Sequence, residues 1–285
     1  MVAITYTLRG AGGESITFDN TNYVLNPEII GLGIAPTDVR VDPSAGIGGV
    51  FRHSRRSVRE LDLPVTVVGN DRADVQTKLR RLARITQDRR GPMRLRATYP
   101  NGEQLFLELH YAGGAEGVWG EDAGGLTWMR WVLQLLAPQP FWESLTKQSI
   151  QLAGGGTGRG LLPQLTRLKV SSSQALGDVT ITSNADVEVF PVWTIRGPVD
   201  NFQVSNGVDS WSITGTILGT EIITVDTQNK TIVNQDGNNL YDRLGPAPKL
   251  FPFQPGETEI SVTGVNATED TLVTAEYALR FEVVH

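Results

Sequence analysis

The chain has 285 residues, 40% of them hydrophobic and 20% charged, which is long for one domain, comfortable for two and typical of a globular protein with its own core. It has no Cys and three His, which excludes disulfides, zinc–thiolate sites and a Cys nucleophile, and leaves little for a metal site or a serine triad. Residues 1–145 carry 16 basic and 16 acidic side chains while residues 146–285 carry 9 and 15, so the net charge of −6 belongs to the second half and neither half has the basic excess of a nucleic-acid reader.

The first eight residues, Met1 to Leu8, show neither the basic start nor the apolar stretch of a signal peptide. No apolar run approaches the ~20 residues that span a bilayer. Synthesis in a cytoplasm, without membrane insertion, is the expectation. Further on, residues 51–59 (FRHSRRSVR) form a basic loop holding Arg52, Arg55, Arg56 and Arg59. Leu61, Leu63, Val65 and Val67 then alternate with polar neighbours as in a half-buried strand, and Pro64 argues for an edge position there.

Residues 71–88 read as a helix, with Val75, Leu79, Leu82 and Ile85 on one stripe and Arg80, Arg81 and Arg84 opposite. Asn70 or Asp71 serves as N-cap, and Gly91-Pro92 stops the chain from continuing. Two alternating runs, Met93 to Tyr99 and Leu105 to Tyr111, flank an Asn-Gly turn and predict a hairpin over 93–112. Arg94 and Arg96 lie on its first strand. Residues 126–136 alternate again, and Pro138 and Pro140 end that strand.

The Gly-rich run at 153–160 marks a linker, taken as 146–165, between a domain at 1–145 and one at 166–285. The second domain shows no helical pattern. Candidate strands at 178–182, 187–196, 210–217, 221–226, 230–234, 248–253, 257–263 and 271–284 predict an antiparallel β-sandwich. The fold class is therefore mainly β with one helix.

No constellation points to catalysis. His53, His110 and His285 have no paired-ligand spacing. The run at 154–160 lacks the Lys-Ser/Thr of a phosphate loop and the βαβ unit around it, so no cofactor is expected. Glu116, Glu121 and Asp122 sit on a Gly-rich tip, and adjacent turn carboxylates do not face each other as a glycosidase pair must. Trp193 and Trp211 are weak candidates for a sugar platform, since rings of a sandwich also serve as core. Arg52, Arg55, Arg56, Arg59, Arg94 and Arg96 read either as solvated charge balanced by local acids or as candidates for a subunit interface, where guanidiniums pair with a neighbour's carboxylates or with passing DNA.

Three segments in order, 63–84 (LPVTVVGNDRADVQTKLRRLAR), 91–102 (GPMRLRATYPNG) and 125–142 (GLTWMRWVLQLLAPQPFW), resemble the distal tail (Dit) proteins of long-tailed, non-contractile phages. Residues 184–197 (NADVEVFPVWTIRG) resemble the opening of that family's galectin-like C-terminal domain, and 211–213 (WSI) and 236–241 (DGNNLY) follow in its order. The resemblance implies a structural virion protein at the tail tip, not an enzyme. Its N-terminal domain would form a homo-hexameric ring between the tail tube protein and the tail-tip hub, tail-associated lysin or fibre. The tape-measure protein and DNA would pass through the lumen without specific binding. The galectin-like domain of that family usually keeps its fold without sugar binding. A carbohydrate-binding module or adhesin used in host attachment is the alternative.

Overall fold

A computed structural model describes residues 4–116, 125–153 and 175–284. The chain divides into two compact units, Met1–Leu145 with Phe281–His285, and Thr146–Arg280. Among the described residues the architecture is mainly β with one α-helix.

The first unit contains β1 (Thr5–Arg9), β2 (Ser15–Thr17), β3 (Tyr23–Leu25), β4 (Thr37–Pro43), β5 (Gly49–Arg56), β6 (Arg59–Val68), α1 (Arg72–Ile85), β7 (Met93–Thr98), β8 (Gln104–Gly113), β9 (Trp128–Ala137) and the start of β10 (Trp142–Ala153). Strands run β2-β1-β7-β8-β10 in one antiparallel layer, and β3-β6-β9 in another. The far end of β8 leaves the first layer and pairs with β9, so one strand serves both. Period-2 apolar residues from each layer, such as Leu8, Leu95 and Leu107 against Leu63, Val65 and Leu133, fill one core. The β7–β8 connection is the predicted hairpin. Tyr99 and Glu103 close it, and Gly102 supplies the left-handed residue (φ 87°) that a three-residue loop needs.

Helix α1 buries Val75, Leu79, Leu82 and Ile85 against β6 and β9. Asp71 caps it by accepting from the Asp74 N–H at 2.8 Å, while the Asp74 carboxylate accepts from the Asn70 N–H at 2.9 Å and from Lys78 at 3.0 Å. These bonds, the Asn70 N–H foremost, hold the Asp74 carboxyl below its usual range. Asp71→Ala removes the acceptor for one orphan helix donor, and is expected to cost about 1 kcal/mol in urea unfolding. An unchanged midpoint would mean that water replaces the cap.

Pro64 does not mark an edge. β6 has β9 along one side and β3 on the other, but β3 ends at Leu25. Asn26 N–H still reaches the Pro64 carbonyl at 2.9 Å, and Ile30 bridges Asp62 beyond it. The missing N–H thus falls in the gap between two pairings. Residues 51–59 are likewise no loop: most of them are β5 and the start of β6.

The second unit carries two antiparallel sheets. One is ordered β16-β15-β12-β18 and the other β11-β17-β13-β14. They comprise β11 (Ala175–Ser183), β12 (Val192–Arg196), β13 (Val199–Ser205), β14 (Ser210–Ile217), β15 (Ile222–Asp226), β16 (Thr231–Asn234), β17 (Gly256–Val265) and β18 (Leu272–Phe281). Both contribute to one core, with Trp193, Ile223 and Val273 from the first and Phe202, Trp211 and Val262 from the second. Residues 248–253 form no strand, and only Val189 and Phe253 bridge there. Residues 146–153, placed in the linker by sequence, continue β10, and 154–165 lie outside the described residues. The chain's last residues, Phe281–His285, belong to the first unit rather than the second. None of the described helices is long and apolar enough to cross a membrane.

Candidate functional site: an amphipathic hairpin and its root

Among the described residues β4 and β5 pair only with each other. Cross-strand partners share a face, so Val39, Val41 and Phe51 lie on one side of this ribbon with Ser54 and Arg56. Asp38, Arg40 and Asp42 lie on the other with Arg55 and His53. That second face neutralises itself. Arg52 meets Asp42 at 2.7 Å and Arg55 meets Asp38 at 3.3 Å. The apolar face has no cover within the described chain: Val39, Val41 and Phe51 are each more than half exposed. A two-stranded ribbon alone in water is marginal at best.

The root of the ribbon is held firmly. Arg56 donates to the Ala35 carbonyl at 3.1 Å and pairs with Glu282 at 2.5 Å, and the same carboxylate accepts from the Ala35 N–H at 3.2 Å. Arg59 goes deeper. At 1% exposure its guanidinium donates to the carbonyls of Pro140 (2.6 Å), Gly31 (2.6 Å), Gly33 (2.5 Å) and Glu282 (2.8 Å). Gly31 is required for this loop, because it adopts φ 95° and a Cβ there would collide with the Glu60 carbonyl. Burial pushes the Arg59 guanidinium below its ordinary range, with Glu282 opposing the shift.

The six candidate arginines therefore separate. Arg59 is buried and satisfied within its own chain, so it is withdrawn from any surface role. Arg56 anchors the ribbon. Arg52 and Arg55 already hold their carboxylates in cis. Arg94 pairs with Glu108 at 2.7 Å and stacks on Phe106 at 4.9 Å. Arg96, half-buried on the same face of β7, meets no acidic side chain among the described residues. The feature that sequence reading missed is the apolar face. Its signal was the alternation of Val39 and Val41 with Asp38, Arg40 and Asp42.

Trp193 and Trp211 are corrected outright as sugar contacts. Each is 2% exposed, and their rings meet edge to face with centroids 6.0 Å apart in the core of the second unit. A sugar stacks on an open ring face, and neither offers one. Among the described residues no group of three His, Asp or Glu is placed to hold a metal. Glu121, Asp122, His285 and the run at 154–160 lie outside the described residues.

No protein-family model matches the sequence, and no curated protein sequence does. Among solved structures the chain is similar to the Dit protein of phage SPP1, a paradigm of the hub adsorption apparatus in phages that infect Gram-positive bacteria. The likeness covers 97% of this chain and 99% of that one, with a TM-score of 0.67 at 14% identity. It is also similar to a chain of the phage P2 baseplate in its activated conformation with calcium, over 99% of this chain and 100% of that one, at 11% identity and a TM-score of 0.50. The chain has a Dit-like fold.

Proposed function

We propose that this chain is a structural phage tail-tip protein whose copies close into a ring joining the tail tube to the tail-tip hub or fibre. The observation that carries the reading is the likeness to SPP1 Dit over both units and nearly the full length of both chains. In this reading six copies form the ring, the tape-measure protein and DNA pass through its lumen without specific binding, and the second unit is a galectin-like domain. The protein then resides in the virion and performs no catalysis. A carbohydrate-binding module loses its support with the burial of Trp193 and Trp211.

Ring closure needs a heterologous contact, one patch meeting a different patch on the next copy. The apolar face of the β4–β5 ribbon suits one half of such a contact, because association would cover Val39, Val41 and Phe51 while leaving the ion-paired face in water. Light scattering on the purified chain is expected to find a species of about 186 kDa, six times the 31.0 kDa monomer, with rings in negative stain. The double variant Val39→Asp, Phe51→Asp should shift this species to monomer while its circular dichroism stays that of the parent. A parent that is monomeric at every concentration would sink the self-closing ring. A variant that still forms rings would remove the ribbon from the contact.

A further inference from the structure

The outer face of the layer β1-β7-β8 carries a groove of about 740 Å³ in the first unit, a size in the range of ligand sites (~300–1,000 Å³). Four arginines line it, Arg9, Arg90, Arg94 and Arg96, against one acidic residue, Glu108. The strand registers force this crowding. Arg9 lies directly opposite Arg94 between β1 and β7, and Arg96 is two residues along the same strand. Like charges directly opposite each other destabilise a sheet unless something compensates them.

Among the described residues compensation is present for one of the four arginines. Glu108, opposite Arg94 between β7 and β8, accepts from its Nε at 3.0 Å and from a terminal nitrogen at 2.7 Å. Arg9, Arg90 and Arg96 meet no carboxylate among the described residues, although acids outnumber bases in the chain by 31 to 25. Outside the groove, Arg52, Arg55, Arg56 and Arg84 of this unit each hold an acid.

We infer that the groove receives the carboxylates of an acidic segment of another protein, with Arg9, Arg90 and Arg96 as its binding residues. Three features favour carboxylates in a protein segment over a nucleic-acid backbone. The groove already seats one carboxylate against a guanidinium, with a single Glu108 oxygen accepting from two Arg94 nitrogens in a charge-assisted pair. It is a short groove rather than a long basic stripe, and the unit around it has no net charge among residues 1–145. Phe106 adds an apolar wall, which suits the side chains flanking an acid in a polypeptide. The inference concerns the groove alone and holds whether or not copies close into a ring.

The test uses the full chain and two probes, a fluorescent hexaglutamate peptide and a hexathymidine oligonucleotide, followed by anisotropy. Saturable hexaglutamate binding is expected, weakening as salt rises from ~20 to ~200 mM. The double variant Arg9→Gln, Arg96→Gln should bind about tenfold more weakly. Arg80→Gln, an exposed helix arginine outside the groove, should bind as the parent does. If the double variant melts below the parent, Arg90→Gln alone takes its place, with a smaller loss in the same direction. Absence of saturable hexaglutamate binding, equal binding by the groove variants, or tighter binding of the oligonucleotide would each overturn the assignment.

Discussion

Replacing Arg59 with Met is expected to destabilise the first unit by about 3–5 kcal/mol, the scale of breaking a buried charged network. The guanidinium sits among four carbonyl oxygens from three separate segments, the 31–33 loop, Pro140 and Glu282. Methionine fills similar space but donates nothing, so four acceptors lose their donor in a site closed to solvent. At ~2–4 °C per kcal/mol the melting transition of this unit should fall by roughly 10 °C in calorimetry. The transition of the second unit should stay in place, because every acceptor of Arg59 lies in the first. Arg59→Lys keeps the charge with a single nitrogen and should recover less than half of the loss. A Met variant within about 1 kcal/mol of the parent would mean that water enters and satisfies the carbonyls, and that the arginine is not the anchor of the ribbon's root.

Arg59 lies four positions after Arg55, and nothing in their type distinguishes them. What separates their roles is the chain that surrounds each, and that chain arrives from far away: Glu282 is more than two hundred residues on from both Arg56 and Arg59. Local pattern was sufficient where the partners were local. α1 was legible because Val75, Leu79, Leu82 and Ile85 repeat at the helical period behind a capping Asp, and β7–β8 because alternation on both sides of an Asn-Gly leaves one register. β13 escaped because Asn201, at φ 48°, bulges out of it. Val199, Phe202 and Val204 are then spaced three and two apart, and the period-2 signal is lost even though all three are buried. The β4–β5 ribbon carries a similar irregularity between Arg40 and Val41. Its sequence is dominated by arginines, while its unpartnered face is apolar.

Trp193→Ala is the complementary experiment on the second unit, with an expected loss of about 3–5 kcal/mol. The indole touches both sides of the core. It meets Trp211 of the opposite sheet at 6.0 Å and 69°, and Phe253 at 6.0 Å and 85°, and Phe253 continues to Tyr277 at 5.4 Å. Such edge-to-face pairs add about 0.5–1.5 kcal/mol each beyond the area they bury. Alanine leaves a cavity the size of an indole between two sheets that cannot close over it without shifting every pairing of β12 with β15 and β18. Since a domain is stable by only ~5–15 kcal/mol, this one side chain decides whether the second unit stays folded near body temperature. Trp193→Phe, which retains a ring and part of the volume, should lose about half as much. The same variant separates core from platform. A surface ring held ready for a sugar would be removed at a cost within about 0.5 kcal/mol. An alanine variant that melts with its parent would therefore put Trp193 on the surface and return the second unit to the sugar-binding class.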